Sequence, residues 1–244
     1  MKLKPLGIGS AFNSQEYGNN SWYFVRRNQV FMIDCGSTVF NTFKEKRLDK
    51  YNSVNVIITH LHTDHIGSLG TLIEYLFYVK GFKPDIITDI HLRKDLRTLL
   101  SISGIEENMY NLITNSYDDK EAYHSNLGIT FLETDHVPQL QPYSLLIDFW
   151  DSQKRVYYSG DVNDLPNILK IFNKPELSVD HVYMDYSING SLVHLSNEQP
   201  LKQLAEWFSD ATIHLMHLGD DVEVYKERLE KMLAYNSNIK VGEW

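Results

Sequence analysis

Residues 59–67 read Thr-His-Leu-His-Thr-Asp-His-Ile-Gly, THLHTDHIG, and they follow on the run VNVIIT, Val54 to Thr59. A short, largely apolar run without strict alternation predicts a strand buried on both faces. His60 and His62 stand two apart, so an extended backbone turns both to one side. Asp64 and His65 fall where the chain turns toward a helix expected over Leu69 to Tyr78. Four imidazole or carboxylate groups therefore converge at the carboxyl end of one strand. That donor set suits Zn²⁺, Mn²⁺ or Fe²⁺. A thiolate site would need several cysteines, and the chain has one, Cys35.

The chain offers further ligands of the same kind three times. His136 closes the segment ITFLETDH, Asp161 closes RVYYSGD and His217 closes TIHLMH. Each follows an apolar or alternating run, so each is expected to project from a strand end. Five histidines and two aspartates are enough for a dinuclear centre. One isolated histidine is more often an ordinary surface or core group than a ligand. A His-x-His-x-Asp-His cluster with three strand-end partners meets a geometric demand that scattered histidines do not. His91, His124, His181 and His214 lack such placement and read as ordinary. His214 lies three residues before His217, so within a strand the two face opposite sides.

Around this core lie 244 residues with a net charge of −9, 43% of them hydrophobic and 23% charged. These values fit a soluble globular protein with a sizeable core, and no linker, charge block or repeat interrupts the chain. One domain spanning 1–244 is expected. A lone cysteine excludes an internal disulfide and suits a reducing cytosol. The N-terminal segment lacks the apolar stretch of a signal peptide, and no run approaches the roughly 18–20 apolar residues of a membrane span. The acidic balance argues against broad nonspecific nucleic-acid binding, which favours a basic surface.

Period and breakers place further strands over Lys2 to Ile8, Trp22 to Arg26, Gln29 to Asp34 and Asp85 to Thr88. Others are expected over Ile129 to Glu133, Ser144 to Phe149, Arg155 to Tyr158, His181 to Asp185 and Thr212 to Met216. Arg27-Asn28 reads as a hairpin turn. Helices are expected over Thr38 to Arg47, His91 to Ser101, Leu165 to Phe172, Asn197 to Phe208 with Ser196 as cap, and Val222 to Tyr235. Antiparallel hairpins followed by alternating strands and helices predict a layered α/β sandwich rather than a simple doubly wound sheet. Gly7-Ile8-Gly9 is no dinucleotide fingerprint, because Phe12 occupies the third glycine position.

At these residues the sequence resembles the metallo-β-lactamase superfamily. Besides THLHTDHIGS, the matching segments are LGIGSAF, GNNSWYF, VFMIDCGS, TDHVP, YSGD and MHLGD, in order along nearly the whole chain. The resemblance implies a four-layer αββα sandwich with metals at one edge of two sheets. It implies two divalent ions, Zn²⁺ first and Mn²⁺ as the alternative. One would be held by His60, His62 and His136, the other by Asp64, His65 and His217, with Asp161 bridging. Asp34, in MIDCG, resembles an aspartate that supports ligands without coordinating.

The segment VYMDYSINGSLVHLSNEQ is similar to the RNase Z-like phosphodiesterase branch, in which an acidic residue pairs with a catalytic histidine. Asp185 and His194 match that pair, although the branch has Glu at the first position and a Ser-Thr-like continuation after the histidine. RNase Z carries a long RNA-gripping arm between the ligands corresponding to His136 and Asp161. Here those residues are 25 positions apart, room for two short strands and the turn Asp151-Ser152-Gln153. The chain thus resembles small phage anti-Pycsar phosphodiesterases, which implies hydrolysis of 3′,5′-cyclic nucleotides such as cyclic CMP, UMP, AMP or GMP. It also implies a homodimer in the cytoplasm, that of the host if phage-encoded, with no membrane and no stable nucleic-acid partner. Asp64 would orient the nucleophile, and His194, held by Asp185, would act as general acid. Tyr143, Asn163 and Tyr17 are the substrate-binding candidates. The alternatives are an RNA-processing endonuclease, a non-catalytic nucleotide sponge and a metal oxidoreductase. The last is disfavoured because flavodiiron proteins carry Glu where this chain has His62.

Overall fold

The computed structural model describes residues 1–12, 16–115, 126–163, 165, 178–187, 191–196, 198–219, 227 and 238–241. The chain forms two compact units, Lys2–Asp119 and Lys120–Trp244, the latter together with Met1. Each contains a six-stranded mixed sheet whose strands run in sequence order.

In the first unit the sheet comprises β1 (Lys4–Gly7), β2 (Ser21–Arg26), β3 (Gln29–Ile33), β4 (Val54–Ile57), β5 (Asp85–Asp89) and β6 (Asn111–Asn115). β1, β2 and β3 are an antiparallel meander, and β3 to β6 are parallel. The turn between β2 and β3 is Arg27-Asn28, with φ of 47° and 63°. Positive φ at both positions matches the right-handed twist of the flanking strands, which is why a two-residue loop suffices. β4 is buried along its whole length, as its apolar run predicts. Its one polar member, Asn55, donates to the Val30 carbonyl at 3.0 Å.

Helices α1 (Val39–Glu45), α2 (Thr63–Ile66), α3 (Leu69–Glu74) and α4 (Arg93–Ile102) belong to this unit. Val39, Phe43, Leu72, Leu76 and Leu96 join Val30, Met32, Val56 and Ile86 in one apolar cluster. The helix expected over Leu69 to Tyr78 divides: after α3 it widens into a π turn over Tyr75–Lys80, stopped by Gly81 at φ 77°. Cys35 is fully buried, and burial pushes its thiol up to about 12. Only the thiolate reacts with disulfide reagents. The native protein should therefore resist thiol labelling at pH 8 and take up one equivalent after denaturation; rapid native labelling would contradict this packing.

The second unit holds β7 (Leu127–Glu133), β8 (Tyr143–Phe149), β9 (Lys154–Tyr158), β10 (His181–Asp185), β11 (Thr212–Met216), β12 (Ile239–Val241) and helix α5 (Glu198–Trp207). β7 and β9 both run antiparallel to β8, and β9 to β12 are parallel. The carboxyl ends of β7, β9, β10 and β11 consequently share one edge of this sheet. Only β8 and β9 occupy the interval between His136 and Asp161.

β6 and β12 were not expected. Their sequences, NLITN and IKV, are short and edged by polar residues, and parallel pairing with β5 and β11 makes them strands. The helices expected over Leu165 to Phe172 and Val222 to Tyr235 fall mostly outside the described residues, as does His124. No helix among the described residues is long and apolar enough to cross a membrane.

Candidate functional site

The ligand motif follows β4. The ladder with β5 continues one residue past the strand, Ile58 N–H donating to the Ile87 carbonyl at 2.8 Å. Thr59 N–H then leaves the ladder and donates to Asp34 Oδ1 at 2.8 Å, and its hydroxyl donates to Asp34 Oδ2 at 2.8 Å. His65 Nδ1 donates to the same Oδ2 at 2.8 Å. With its own proton given to Asp34, the Thr59 hydroxyl oxygen accepts from His60 Nδ1 at 3.1 Å. One carboxylate therefore sets the tautomer of two imidazoles, leaving Nε2 of His60 and His65 as lone-pair donors. Asp34 is fully buried, and burial pushes its carboxyl up, with His65 and Thr59 pulling the other way. The family resemblance implies a supporting role for Asp34, and these hydrogen bonds are compatible with it.

Backbone packing completes the arrangement. Cys35 N–H donates to the His65 carbonyl at 2.6 Å. A Cβ on Gly36 would lie 1.8 Å from the Asp64 carbonyl oxygen, so only glycine lets the turn after β3 approach α2 this closely. Gly7 has a similar packing reason rather than a nucleotide one: its Cβ would meet the Asn19 carbonyl at 2.2 Å.

In the second unit the donors sit at the shared carboxyl edge. After β9, Ser159 N–H still pairs with the Tyr183 carbonyl, at 2.9 Å; Gly160 then turns at φ 60° and delivers Asp161. Asp161 and His136 thus lie three residues beyond their strands rather than at the last position. Asp185 is the last residue of β10, and His217, at φ 59°, directly follows β11. His136 Nδ1 donates to the Val193 carbonyl at 2.6 Å, which again leaves Nε2 as the lone-pair donor.

Distances within each unit fit a metal-ligand set. Two donors about 2.0–2.1 Å from a tetrahedral ion stand roughly 3.3 Å apart. His60 Nε2 and His62 Nδ1 are 3.1 Å apart, and His65 Nε2 and Asp64 Oδ2 are 3.3 Å apart. Asp161 Oδ2 is 3.5 Å from His136 Nε2 and equally 3.5 Å from His217 Nε2. His60, Asp64, His65, His136, Asp161 and His217 are all buried. Nitrogen and carboxylate donors at these spacings are a divalent-metal set.

Beside them, His194 Nδ1 lies 2.7 Å from Asp185 Oδ2. The Asp185 side chain is fully buried, whereas 19% of the His194 side chain is exposed. Burial works against a charge on His194, but the Asp185 carboxylate outweighs it and the imidazole pKa is raised. The pair thus orients the imidazole through Nδ1 and leaves part of its side chain accessible.

Of the substrate candidates, Tyr143 is 1% exposed and packs edge-on to Phe131. A ring so covered offers no stacking face. The Asn163 amide nitrogen donates to the His136 carbonyl at 2.9 Å, and its N–H to the Asp135 carbonyl at 2.9 Å, so it clamps the ligand-bearing loop. Tyr17 is half-buried and its carbonyl accepts from Ile8 N–H at 3.0 Å. Among the ordinary histidines, His214 is buried, stacks on Tyr183 and meets His181 at 3.3 Å, as a satisfied core group does. Sequence reasoning missed Thr59, the Val193 carbonyl and the Ser159 hydroxyl, which accepts from Asp185 N–H at 2.8 Å. Only Thr59, inside the ligand motif, carried a signal.

The fold is that of the metallo-β-lactamase proteins, and the donors gathered within each unit are of the kind that binds divalent metal. The metallo-β-lactamase fold protein YhfI of Bacillus subtilis superposes with a TM-score of 0.79 over 98% of this chain and 95% of its own, at 17% identity. Human tRNase Z, short form, gives 0.72 over 100% and 96%, at 14% identity. The family model of the anti-Pycsar protein Apyc1 matches residues 1–237, and the chain belongs to that family. It is 26% identical over 244 aligned residues to the anti-Pycsar protein Apyc1 of Saccharibacillus brassicae, covering 95% of this chain and 96% of that one. It is 24% identical to that of Bacillus phage BSP38, over 95% and 94%.

Proposed function

We propose that this chain is a metal-dependent phosphodiesterase that hydrolyses 3′,5′-cyclic nucleotides to linear nucleoside monophosphates. The observation that carries the reading is the Asp185–His194 pair, set among metal-ligating side chains in a chain of the Apyc1 family. The physiological counterpart is defeat of cyclic-nucleotide antiviral signalling, in the host cytoplasm where the gene is a phage's, by one hydrolase domain that acts as a homodimer. A protein that merely sequestered nucleotide would have no use for a buried carboxylate orienting an accessible imidazole.

The ion assignment follows the family resemblance and the donor spacings within each unit. His60, His62 and His136 would hold one divalent ion and Asp64, His65 and His217 a second, with Asp161 available to both, and a nitrogen-rich set would prefer Zn²⁺ to Mn²⁺. Such ions supply charge neutralisation at the phosphoryl oxygens and an acidified water. The chain's own residues do the rest. Asp64 accepts a hydrogen bond from the attacking water and aims it. His194 gives its proton to the ribose oxygen as the phosphorus–oxygen bond breaks, and Asp185 holds the imidazole in line and stabilises its charge. The water oxygen joins phosphorus as the ring opens to a monophosphate, and the proton the water sheds passes to solvent, from which His194 regains the one it gave. Asn163 keeps His136 in place; base recognition falls to groups other than the covered Tyr143 ring.

The test is a panel of 3′,5′-cyclic nucleotides and a precursor transfer RNA, with and without chelator. Turnover of at least one cyclic nucleotide, abolished by chelator and restored by Zn²⁺ or Mn²⁺, is expected. Cleavage of the RNA without cyclic-nucleotide turnover, or chelator-resistant turnover, would overturn the reading.

A further inference from the structure

His194 and His136 are served by one short loop. The Ser191 hydroxyl oxygen accepts two backbone N–H groups, from Val193 at 3.1 Å and from His194 at 3.0 Å. That closes a tight turn of the kind serine side chains form with residues two and three positions on. The turn aims two groups at once. His194 Nδ1 meets Asp185 at 2.7 Å, and the Val193 carbonyl meets His136 Nδ1 at 2.6 Å. The far side of the loop is fastened as well: Leu195 N–H donates to the Val162 carbonyl at 2.7 Å, and Ser187 N–H to the Leu195 carbonyl at 2.8 Å. Val162 N–H in turn donates to Asp185 Oδ2 at 2.9 Å. On its near side the loop has one further tie, Ser191 N–H to Ser196 Oγ at 3.4 Å.

We infer that Ser191 is a positioning residue for this reaction, and that its hydroxyl holds the proton donor His194 and the ligand His136 in register through one turn. The inference rests on the phosphodiesterase reading, and it assigns Ser191 no contact with substrate. Without the acceptor, both N–H groups turn to solvent and the Val193 peptide is free to rotate. His194 is then held by its Asp185 bond and by the ties of Leu195, one residue on, without the turn that fixed its own N–H. A shift of about 1 Å at a catalytic group can cost on the order of 100-fold in rate.

The test compares Ser191→Ala with Ser191→Thr, which keeps the acceptor. The alanine variant should lose about tenfold or more in kcat with KM changed less than about twofold, whereas threonine should stay within about threefold of the parent. In a His194→Ala background the further loss from Ser191→Ala should shrink severalfold, because much of what the turn positions is gone. In the metal-free protein, the low-field imidazole proton of the Asp185–His194 bond should be present in the parent and threonine forms and weakened in the alanine form. Ser191→Cys, of similar shape but a poor acceptor, carries the test should the alanine variant fail to fold. Unchanged kcat in the alanine or cysteine variant, equal loss in both backgrounds, or an unaltered imidazole signal would overturn the inference. A parent protein inactive on every cyclic nucleotide would instead overturn the functional reading.

Discussion

Replacing Asp161 by alanine should remove turnover and metal together. Its Oδ2 stands 3.5 Å from both His136 Nε2 and His217 Nε2, so on the proposed assignment the change removes the one carboxylate available to both ions. Cyclic-nucleotide turnover is expected to fall by more than about 10⁴-fold, because charge stabilisation and water activation depart with the ions. Metal content measured after gel filtration should fall by half or more, with circular dichroism unchanged. An Asp161→Ala protein that kept its metal and its rate would mean that the donors of the second unit serve no catalytic ion.

His194→Ala should have the opposite signature, losing rate and keeping metal. On the proposed assignment the imidazole stands beside the ligands rather than among them, and its partner is Asp185, at 2.7 Å. A positioned general acid contributes typically about 10²–10⁴-fold, and a loss of kcat in that range is expected with metal content unchanged. The loss should be smaller for an activated substrate such as a p-nitrophenyl phosphodiester, whose leaving group needs no proton. An equal loss on both substrates would show that His194 binds phosphate rather than protonating the ribose oxygen. Asp185→Asn should follow the same pattern, because the amide removes the charge that favours protonated His194.

The legible parts of this molecule are those in which chemistry dictates residue type. Metal ligation needs imidazole and carboxylate, and THLHTDH declares them; β4, buried throughout, declares itself by VNVI. The illegible parts rest on backbone groups or on partners distant in sequence. The Val193 carbonyl that orients His136 is 57 residues away from it, and any residue there would present the same oxygen. Asp34 serves Thr59 and His65 across 25 and 31 residues, and only the likeness of MIDCG to a known pattern pointed to it. β6 exists because β5 offers a parallel edge, which a propensity reading of NLITN does not contain. Tyr143 illustrates the reverse error. Proximity to His136 in sequence suggested a pocket residue, but strand alternation sends its ring into packing against Phe131.

Asp34 and His217, each the first residue past a strand, sit in the left-handed region, at φ 62° and 59°. That conformation costs most L-residues about 1–2 kcal/mol, and Asp, Asn and His tolerate it better than bulky or branched side chains do. The backbone thereby restricts the alphabet at both positions before any metal is considered. An engineer seeking a softer, thiolate-bearing centre would find position 217 resistant on conformational grounds alone, whereas an aspartate, which stands in the same conformation at position 34, would meet no such resistance. The histidine there is chosen twice, once for its ring and once for its tolerance of a turn, and such doubly constrained positions should be the last to vary as substrate preference diverges.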